Sequence, residues 1–276
     1  MEQLRGRTAL VTGASGGLGA HLARRLAREG MDVGLVARRE PELAALAEEL
    51  QTLGVRAAAL PVDLADLSQI DPLAERAEQA LGPVDLLVNN AGVELTSDFC
   101  SYDREELTGM IDLNLTAPLL LTHRLLPGML ARRRGHVAFI ASVAGKLGPA
   151  YQAPYAATKA GLIGLTQSLR AQYGHGPVGF SVVCPGFIAG DGMYQRMVEE
   201  GMKSNRLMGE TTIEKVCDAT VRAVRQNLPE VIESGAPLRP ALALSQLTPG
   251  LAERIAPRFG VTEIFRRTAA ARGRGG

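Results

Sequence analysis

A tyrosine and a lysine lie four residues apart among small side chains in the segment APYAATKAG, residues 153–161. If this segment is helical, Tyr155 and Lys159 share one face, about one turn apart. A nearby ammonium group favours phenolate over phenol, so it lowers the tyrosine pKa from its ordinary value near ~10. The pair could therefore exchange a proton near neutral pH, although a half-buried tyrosine beside a surface lysine would show the same spacing.

Short β-type runs alternate with longer helical patterns along the chain, which is typical of βαβ units. The runs are TALVT, VGLVA, AAALPV, VDLLVN, HVAFIA, FSVVC and PEVIE. Because continuous apolar strands are buried on both faces, they need helices above and below the sheet. The sequence therefore predicts an α/β fold, three-layered, doubly wound and Rossmann-like, with a mostly seven-stranded parallel sheet and a C-terminal helical extension. We expect one domain over residues 1–235 and the extension, with a frayed basic tail, over residues 236–276.

Composition excludes several function classes. The chain has 276 residues, of which 46% are hydrophobic and 21% charged, and these values favour a sizeable core over disorder. Because 30 basic side chains face 29 acidic ones, no overall field favours nucleic acid. Three cysteines without a C-x-x-C spacing favour reduced thiols, and no signal peptide is apparent, so we expect a cytoplasmic protein. The sequence predicts no metal site.

The first strand leads into a glycine-rich turn. In a parallel sheet, ligands bind beyond the carboxyl ends of the strands, so functional residues should follow each run. The segment TGASGGLG places Gly13, Gly17 and Gly19 where the backbone can turn tightly before a helix. The free N–H groups of a helix N-terminus suit a pyrophosphate. The spacing departs from the G-x-G-x-x-G dinucleotide fingerprint, and a simple strand-to-helix turn is the alternative.

Charged residues follow the next two strands. Arg38 and Arg39 stand where an acidic residue would bind a ribose 2′-hydroxyl, and two guanidinium groups favour a 2′-phosphate, hence NADP(H). A solvated helix start is the alternative. Asp63 could accept from an adenine amino group and Leu64 could pack on its ring, but Asp63 or Asp66 could equally cap a helix.

The later strand ends carry small and polar residues. NNAG, residues 89–92, has two amides before side chains too small to block a flat ring. Ser142 follows the fifth strand, and Ile188 in PGFI could close over a ring. Each could be turn chemistry alone, but their recurrence at successive strand ends indicates one site.

Together these pieces make the chain resemble the short-chain dehydrogenase/reductase family in its single-domain form. The matching pieces are TGASGGLG, NNAG, Asn114 in IDLNL, Ser142, YAATK and PGFI, in the family's order and spacing. Ser142 lies thirteen residues before Tyr155, as the family pattern requires. The resemblance covers residues 7 to about 190.

The resemblance implies roles for four catalytic residues. Tyr155 would be the general acid or base, and Lys159 would lower its pKa and hold the nicotinamide ribose. Ser142 would hydrogen-bond the substrate oxygen. Asn114 would anchor water in a proton relay. The cofactor would be lined by Gly13, Ser15, Gly17, Leu18, Gly19, Arg38, Arg39, Asp63, Leu64, Asn90, Ala91, Gly92, Tyr155, Lys159 and Ile188. Ala189, Gly190 and Asp191 replace the usual threonine, so no side chain is assigned to the carboxamide.

The resemblance also places a substrate lid at residues 189–212. Met193, Met197, Met202 and Met208 suit an adaptable apolar surface and a hydrophobic carbonyl or alcohol substrate, although packing of the lid on the protein is an equal reading. The extension could cover the substrate mouth, join a neighbouring subunit or rest on a membrane surface, while packing on its own domain is favoured. A homodimer or homotetramer is expected through the helices that hold Asn114 and Tyr155.

The leading hypothesis is an NADP(H)-dependent oxidoreductase that interconverts a carbonyl and an alcohol. Its alternatives are an NAD-linked alcohol dehydrogenase, since NAD(H) is not excluded, and a non-catalytic nucleotide-binding regulator. A binding module has no use for a tuned phenol, so the set of Ser142, Tyr155 and Lys159 favours an enzyme.

Overall fold

The computed structural model describes residue 1 and residues 3–189, 209–255 and 261–272. Most of the predicted substrate lid, with its four methionines, therefore lies outside the described residues.

Seven parallel strands form the central sheet, in the order β3-β2-β1-β4-β5-β6-β9. Each strand matches one of the runs found in the sequence, so the prediction of a seven-stranded parallel sheet is confirmed. A separate two-stranded parallel sheet, β7 with β8, was not predicted, because strands of three residues carry no readable pattern. The strands are β1 Thr8–Thr12, β2 Asp32–Ala37, β3 Ala57–Pro61, β4 Leu86–Asn89, β5 Gly135–Ile140, β6 Val178–Pro185, β7 Phe187–Ala189, β8 Glu210–Thr212 and β9 Glu230–Glu233.

The helices cover both faces of this sheet. The described α-helices are α1 Gly17–Arg28, α2 Glu40–Gln51, α3 Ile70–Leu81, α4 Arg104–Ile111, α5 Ala117–Ala131, α6 Ala144–Leu147, α7 Ala153–Tyr173, α8 Ile213–Gln226, α9 Arg239–Leu247, α10 Pro249–Ile255 and α11 Val261–Arg272. Helices α1, α2 and α8 share one hydrophobic core with the sheet, and α3, α5 and α7 share the other. This is the predicted three-layer arrangement.

The strand order determines where a ligand can bind. The chain proceeds outward from β1 to β3 and then returns to β4 on the other side of β1. A crevice opens at such a switch point, beyond the carboxyl ends of the strands. Thr12 at the end of β1 and Asn89 at the end of β4 border this crevice.

The helical pattern from Asp103 to Leu130 forms two α-helices with a π-helical turn between them. Asp103 caps α4 through a capping box with Glu106, and the π-helical turn spans Asp112–Thr116 before α5 begins. Such turns often occur at functional sites because they change the direction of side chains within a helix. Asn114 lies within this turn.

Parts of the C-terminal extension contact the preceding domain. Phe265 in α11 is buried, and its ring centroid lies 6.3 Å from that of Phe187 in β7. The Gln246 side chain in α9 reaches the carbonyl of Lys146 at 3.5 Å. The boundary at residue 235 stays a prediction. No helix in the described part of the chain is long and apolar enough to cross a membrane.

Candidate active site

The glycine-rich turn between β1 and α1 is tightly packed. Gly13 has a φ of +70°, a conformation that side chains disfavour, and a Cβ there would lie 2.9 Å from Nδ2 of Asn90. A Cβ on Gly19 would lie 2.1 Å from the carbonyl oxygen of Gly13. Both positions therefore require glycine, so that the backbone, rather than side chains, faces the crevice.

The N-terminus of α1 has the chemistry of an anion site. Gly16 occupies the N-cap position, no side chain caps the helix, and its first turn carries no acidic residue. The N–H groups of the first turn and the positive end of the helix dipole therefore suit a phosphate group. The residues present thus fit the pyrophosphate of a nicotinamide dinucleotide, which the resemblance implies.

Thr12 joins the first and fourth strand ends, a role that the sequence did not reveal. Its hydroxyl accepts from the backbone N–H groups of Asn90 and Ala91, each at 2.9 Å, and donates to the carbonyl of Val88. The Asn90 amide donates to the carbonyl of Thr12 at 2.9 Å. NNAG is therefore positioned through Thr12, and the Asn90 side chain is engaged by the protein.

Arg38 and Arg39 lie at the end of β2 but differ in their contacts. Nη2 of Arg39 donates to the carbonyl of Ser15 at 2.9 Å, and Nη1 pairs with Glu42 at 3.0 Å. Arg38 is 72% exposed, and its guanidinium lies 3.9 Å from the carboxylate of Asp63. The structure thus brings the Arg39 guanidinium to the glycine turn, whereas that of Arg38 lies near Asp63 after β3.

The two readings of the acidic residues after β3 are separated by their contacts. Asp66 caps the 3₁₀ turn Leu67–Gln69 by accepting from the N–H of Ser68. Asp63 accepts from the N–H of Ala65 at 3.0 Å and is half-exposed to the crevice side that holds Arg38. Leu64 is buried in the core, so its predicted contact with an adenine ring stays a prediction.

Asn114 is fully buried and fixes the loop that follows NNAG. Its Oδ1 accepts from the N–H of Val93 at 2.8 Å, and its Nδ2 donates to the carbonyl of Val93 at 2.8 Å and to the hydroxyl of Thr158 at 3.3 Å. The Thr158 hydroxyl donates in turn to the carbonyl of Tyr155. The amide therefore links NNAG to the helix turn that carries the tyrosine.

Ser142, Tyr155 and Lys159 meet beyond the carboxyl end of β5. The Ser142 side chain lies near enough to the Tyr155 hydroxyl to lower its pKa, and Oγ of Ser142 accepts from the N–H of Ala144 at 3.1 Å. Nζ of Lys159 lies 5.6 Å from the centroid of the Tyr155 ring and donates to the carbonyl of Ile140 at 3.0 Å. Gly92 completes the group, since a Cβ there would lie 3.4 Å from Nζ of Lys159 and 3.1 Å from Oδ1 of Asn114.

The sequence predicts that Lys159 lowers the pKa of Tyr155, and this prediction is wrong for the protein alone. Burial raises the pKa of Tyr155 well above its ordinary value, and the hydrogen bond from Ser142 opposes that rise without cancelling it. Burial lowers the pKa of Lys159 to about 8, so the ammonium form still dominates at neutral pH. Desolvation is the largest cause of both shifts because both groups are almost fully enclosed.

The remaining predicted residues lie around this crevice with less distinctive contacts. Leu18 and Ile188 are half-buried against the core that holds α1 and α8. Cys184, which the sequence predicts as a core residue, is buried at the end of β6. Besides Thr12 and Thr158, the structure adds Glu94 and Gln152, whose side chains meet beside Tyr155 although 58 residues separate them.

The comparisons with known proteins agree with this geometry. The family model described as short chain dehydrogenase matches residues 7–201. The chain belongs to the short-chain dehydrogenase/reductase family. This family consists of oxidoreductases that use a nicotinamide cofactor on small-molecule substrates.

Two curated members of the family match most of this short-chain dehydrogenase/reductase. The ketoacyl reductase HetN of Nostoc sp. is 37% identical over 274 residues, covering 98% of this chain and 94% of HetN. The dehydrogenase/reductase SDR family protein 7-like of Drosophila melanogaster is 33% identical, covering 91% of this chain and 79% of that protein.

Two solved structures of the family are also similar. A metagenomic short-chain oxidoreductase in complex with NADP superposes with a TM-score of 0.71 at 33% identity. The match covers 83% of this chain and 97% of the metagenomic chain. A family member from Burkholderia phymatum in complex with NAD has a TM-score of 0.80 at 24% identity. The match covers 91% of this chain and 96% of the Burkholderia chain. The second confirms the Rossmann-like fold. Since one holds NADP and the other NAD, the pair does not determine a cofactor preference.

Proposed function

We propose that this chain is an NADP(H)-dependent oxidoreductase that interconverts a carbonyl and an alcohol on a hydrophobic substrate. The observation that carries the proposal is the buried group of Ser142, Tyr155 and Lys159 beside the switch-point crevice. Ser142, Tyr155, Lys159 and Asn114 are the proposed catalytic residues. The nicotinamide cofactor supplies the hydride in reduction and accepts it in oxidation.

Tyr155 donates the proton to the carbonyl oxygen of the substrate. The hydroxyl is protonated at neutral pH, which is the form that a general acid requires. Ser142, which lies near the Tyr155 hydroxyl and is oriented by the N–H of Ala144, stabilises the same oxygen. The two hydroxyls thereby hold the reacting carbonyl in one orientation.

Lys159 stabilises the phenolate that remains after this proton transfer. It is mostly charged at neutral pH, and its ammonium group is held near the Tyr155 ring by the carbonyl of Ile140. Asn114 holds the loop next to Nζ of Lys159, where water can deliver a replacement proton. In oxidation the same groups act in reverse order, with Tyr155 as the base.

Arg38 and Arg39 support the preference for NADP(H). The Arg39 guanidinium contacts the glycine turn at Ser15, Arg38 is exposed directly after β2, and no acidic side chain occupies the end of β2 to bind a free 2′-hydroxyl. The 33% identical relative solved with NADP adds to this support. An NAD-linked alcohol dehydrogenase is the alternative, because the second similar structure is a complex with NAD.

Two observations support a hydrophobic substrate. The relative from Nostoc carries the name ketoacyl reductase, which concerns a carbonyl on an apolar chain. Phe187 and Ile188 in β7 are half-buried apolar side chains just beyond β6. A membrane-surface role for the extension and a nucleic-acid role have no support among the described residues.

The test compares the wild type with the Tyr155→Phe variant, using a panel of hydrophobic ketones and NADPH or NADH, followed by cofactor absorbance. We expect turnover with NADPH, at least about tenfold lower kcat/KM with NADH, and a loss of about 10²-fold or more in kcat for the variant, as for removal of a general acid. The variant should retain cofactor binding, since only one hydroxyl is removed. Full activity of Tyr155→Phe would overturn the role proposed for Tyr155. Cofactor binding without turnover in either direction would overturn the enzyme assignment and favour a nucleotide-binding regulator.

A further inference from the structure

A half-buried ion pair joins the short helix α6 to the edge of the central sheet. Nζ of Lys146 in α6 lies 2.6 Å from Oε2 of Glu230 in β9, and the two side chains are only 20% and 29% exposed. Glu230 is fixed in turn, because β9 pairs with β6 and places Glu230 opposite Val182. The ammonium group is therefore held against an element whose position the sheet sets.

The helix that carries Lys146 follows Ser142 directly and shares its hydrogen bonds. Oγ of Ser142 accepts from the N–H of Ala144 at 3.1 Å, and the carbonyl of Ser142 accepts from the N–H of Gly145 at 3.1 Å. The N–H of Lys146 donates to the carbonyl of Val143 at 3.0 Å. A displacement of α6 would therefore move both the hydroxyl and the backbone of Ser142.

On another side, α6 touches the backbone of the helix that carries the proposed acid. A Cβ on Gly145 would lie 2.6 Å from the carbonyl carbon of Lys159 in α7, so the two helices are in direct contact there. Helix α6 thus connects the segment of Ser142 with the helix of Tyr155 and Lys159. Its position sets the distance between these groups.

Side-chain packing gives α6 little support on the side that faces α9. A cavity of about 570 Å³ lies between α6, α7, β9 and α9, and its lining includes Lys146, Ile163, Glu230 and Leu242. Protein interiors have few voids larger than a water molecule, so this space is not packed as a core is. The ion pair borders the cavity and links α6 to β9 where apolar contacts do not.

We propose that Lys146 and Glu230 are positioning residues, whose ion pair holds α6 and thereby fixes Ser142 against the substrate oxygen. This inference rests on the proposed function, because it takes Ser142 and Tyr155 as the groups that meet this oxygen. Both charges act through the backbone of α6 and not through contact with the substrate. A misplacement of about 1 Å far from the chemistry can cost about 10²-fold in rate, so loss of the pair lowers kcat.

The test removes each charge alone and then both. With NADPH and a hydrophobic ketone, Lys146→Met and Glu230→Gln should each lower kcat about tenfold, and the double variant should lose no more than either, because both charges act through one contact. The KM for NADPH should stay within about twofold of the wild-type value. Lys215→Met, the same change at an exposed lysine in α8, should retain the wild-type kcat. Wild-type kcat in both single variants, or a loss of about a hundredfold in the double variant, would overturn the inference.

A conservative variant distinguishes the charge of Lys146 from its bulk. Lys146→Arg keeps a cation that can pair with Glu230, and the cavity leaves room for the larger guanidinium group. Its kcat should stay within about twofold of the wild-type value, whereas that of Lys146→Met falls. A kcat as low in Lys146→Arg as in Lys146→Met would overturn the role of the pair. The nearly isosteric Glu230→Gln keeps the test decisive if Lys146→Met does not fold.

Amide hydrogen exchange tests the attachment of α6 without turnover. In both single variants, mass spectrometry should show faster exchange of the N–H groups of residues 144–146 than in the wild type, because the helix opens more often. Faster exchange supports the hold of the pair on α6 even if the wild type reduces no ketone, a result that would instead overturn the proposed function. Wild-type exchange in both variants, or faster exchange with an unchanged kcat, would overturn the positioning role.

Discussion

Burial moves the pKa values of Tyr155 and Lys159 in opposite directions, because desolvation disfavours the charged form of each group. The phenol is thereby kept neutral, while the amine comes closer to releasing its proton. The same effect operates far from the crevice, at His136 in β5. This histidine is fully buried, and burial lowers its pKa to about 3.

The hydrogen bonds of His136 show how a neutral imidazole is accommodated. The Ser181 hydroxyl donates to the carbonyl of Leu228 at 2.6 Å, so Nε2 of His136, 2.9 Å away, must be the donor to Ser181. Nδ1 is buried and has no hydrogen-bond partner among the described residues. Protonation would place a second N–H there without an acceptor, which adds to the cost of burying the charge.

We predict that His136 makes the protein less stable in acid. Its folded pKa lies below the ordinary histidine value of 6.5, so between pH 6.5 and about 3 the unfolded chain binds a proton that the folded chain does not. The stabilising contribution is complete above pH 6.5 and is lost as the pH falls, with a slope of at most about 1.4 kcal/mol per pH unit. His136→Gln, whose amide can still donate to Ser181, should show a shallower loss of the free energy of unfolding in urea titrations from pH 7 to pH 4.

The exposed His123 in α5 provides the matched control. His123→Gln should reproduce the wild-type pH dependence, because its ring is not enclosed. If the wild type and His136→Gln lose stability in parallel as the pH falls, His136 is protonated in the folded state and the explanation fails.

At the scale of elements, the proposed acid and its lysine depend on close packing between α6 and α7. A Cβ on Gly145 would lie 2.6 Å from the carbonyl carbon of Lys159 and 2.7 Å from the N atom of Ala160. Both contacts are with backbone, so no side chain can rotate away. The short helix α6 therefore fixes the position of α7 at the turn that carries Lys159.

We predict that Gly145→Ala displaces α7 from α6. The free energy of unfolding should fall by about 1–3 kcal/mol, as for other overpacked sites, and kcat should fall because Tyr155 and Lys159 move with the helix. Chemical denaturation and steady-state kinetics provide the two measurements. Gly109→Ala in α4 is the control, since a Cβ there meets no atom within 4 Å and should leave stability equal or raise it by up to about 1 kcal/mol. Wild-type stability and kcat in Gly145→Ala would show that α6 does not set the position of α7.

At the scale of the whole molecule, α7 presents a face of small residues to the outside. Ala157, Ala160 and Gly164 are exposed on this helix, while Gly161 packs internally against Leu115 of the π-helical turn. Small side chains let a neighbouring element approach a helix closely, and an oligomer is expected through the helix that holds Tyr155. For Gly161 that neighbour lies within the chain, and for the exposed residues we expect a second subunit, since members of this family typically form oligomers.

We predict that Gly164→Arg weakens the homodimer or homotetramer. Gly164 lies at the exposed surface with no atom within 4 Å of an added Cβ, so a single chain can accept the arginine, whereas a closely packed partner helix cannot. Sedimentation velocity should show a smaller species than the wild type, with an unchanged far-UV circular dichroism spectrum. Ala44→Arg, on the exposed face of α2, should keep the wild-type mass. A variant that retains the wild-type mass would exclude this face as the interface.

The sheet and the reactive residues could be predicted because their signals are local in sequence. Each strand is a short apolar run, and each candidate site segment follows one run directly, so the sequence placed these segments at the carboxyl edge of one parallel sheet. The spacing of Ser142, Tyr155 and Lys159 needed no knowledge of the packing. The π-helical turn at Asn114 and the short strands β7 and β8 were missed, since neither leaves a pattern that differs from a helix or a loop.

The sequence by itself therefore determined the fold, the family and the identity of the proposed reacting groups. Only the tertiary structure decided how those groups are held and how they titrate. Thr12 meets Asn90, and Glu94 meets Gln152, across gaps in sequence that only folding closes. The pKa of Tyr155 likewise depends on enclosure by distant segments, because desolvation is the largest cause of its rise. A spacing specifies which groups can be neighbours, whereas the packing around them sets the free energy of their charges.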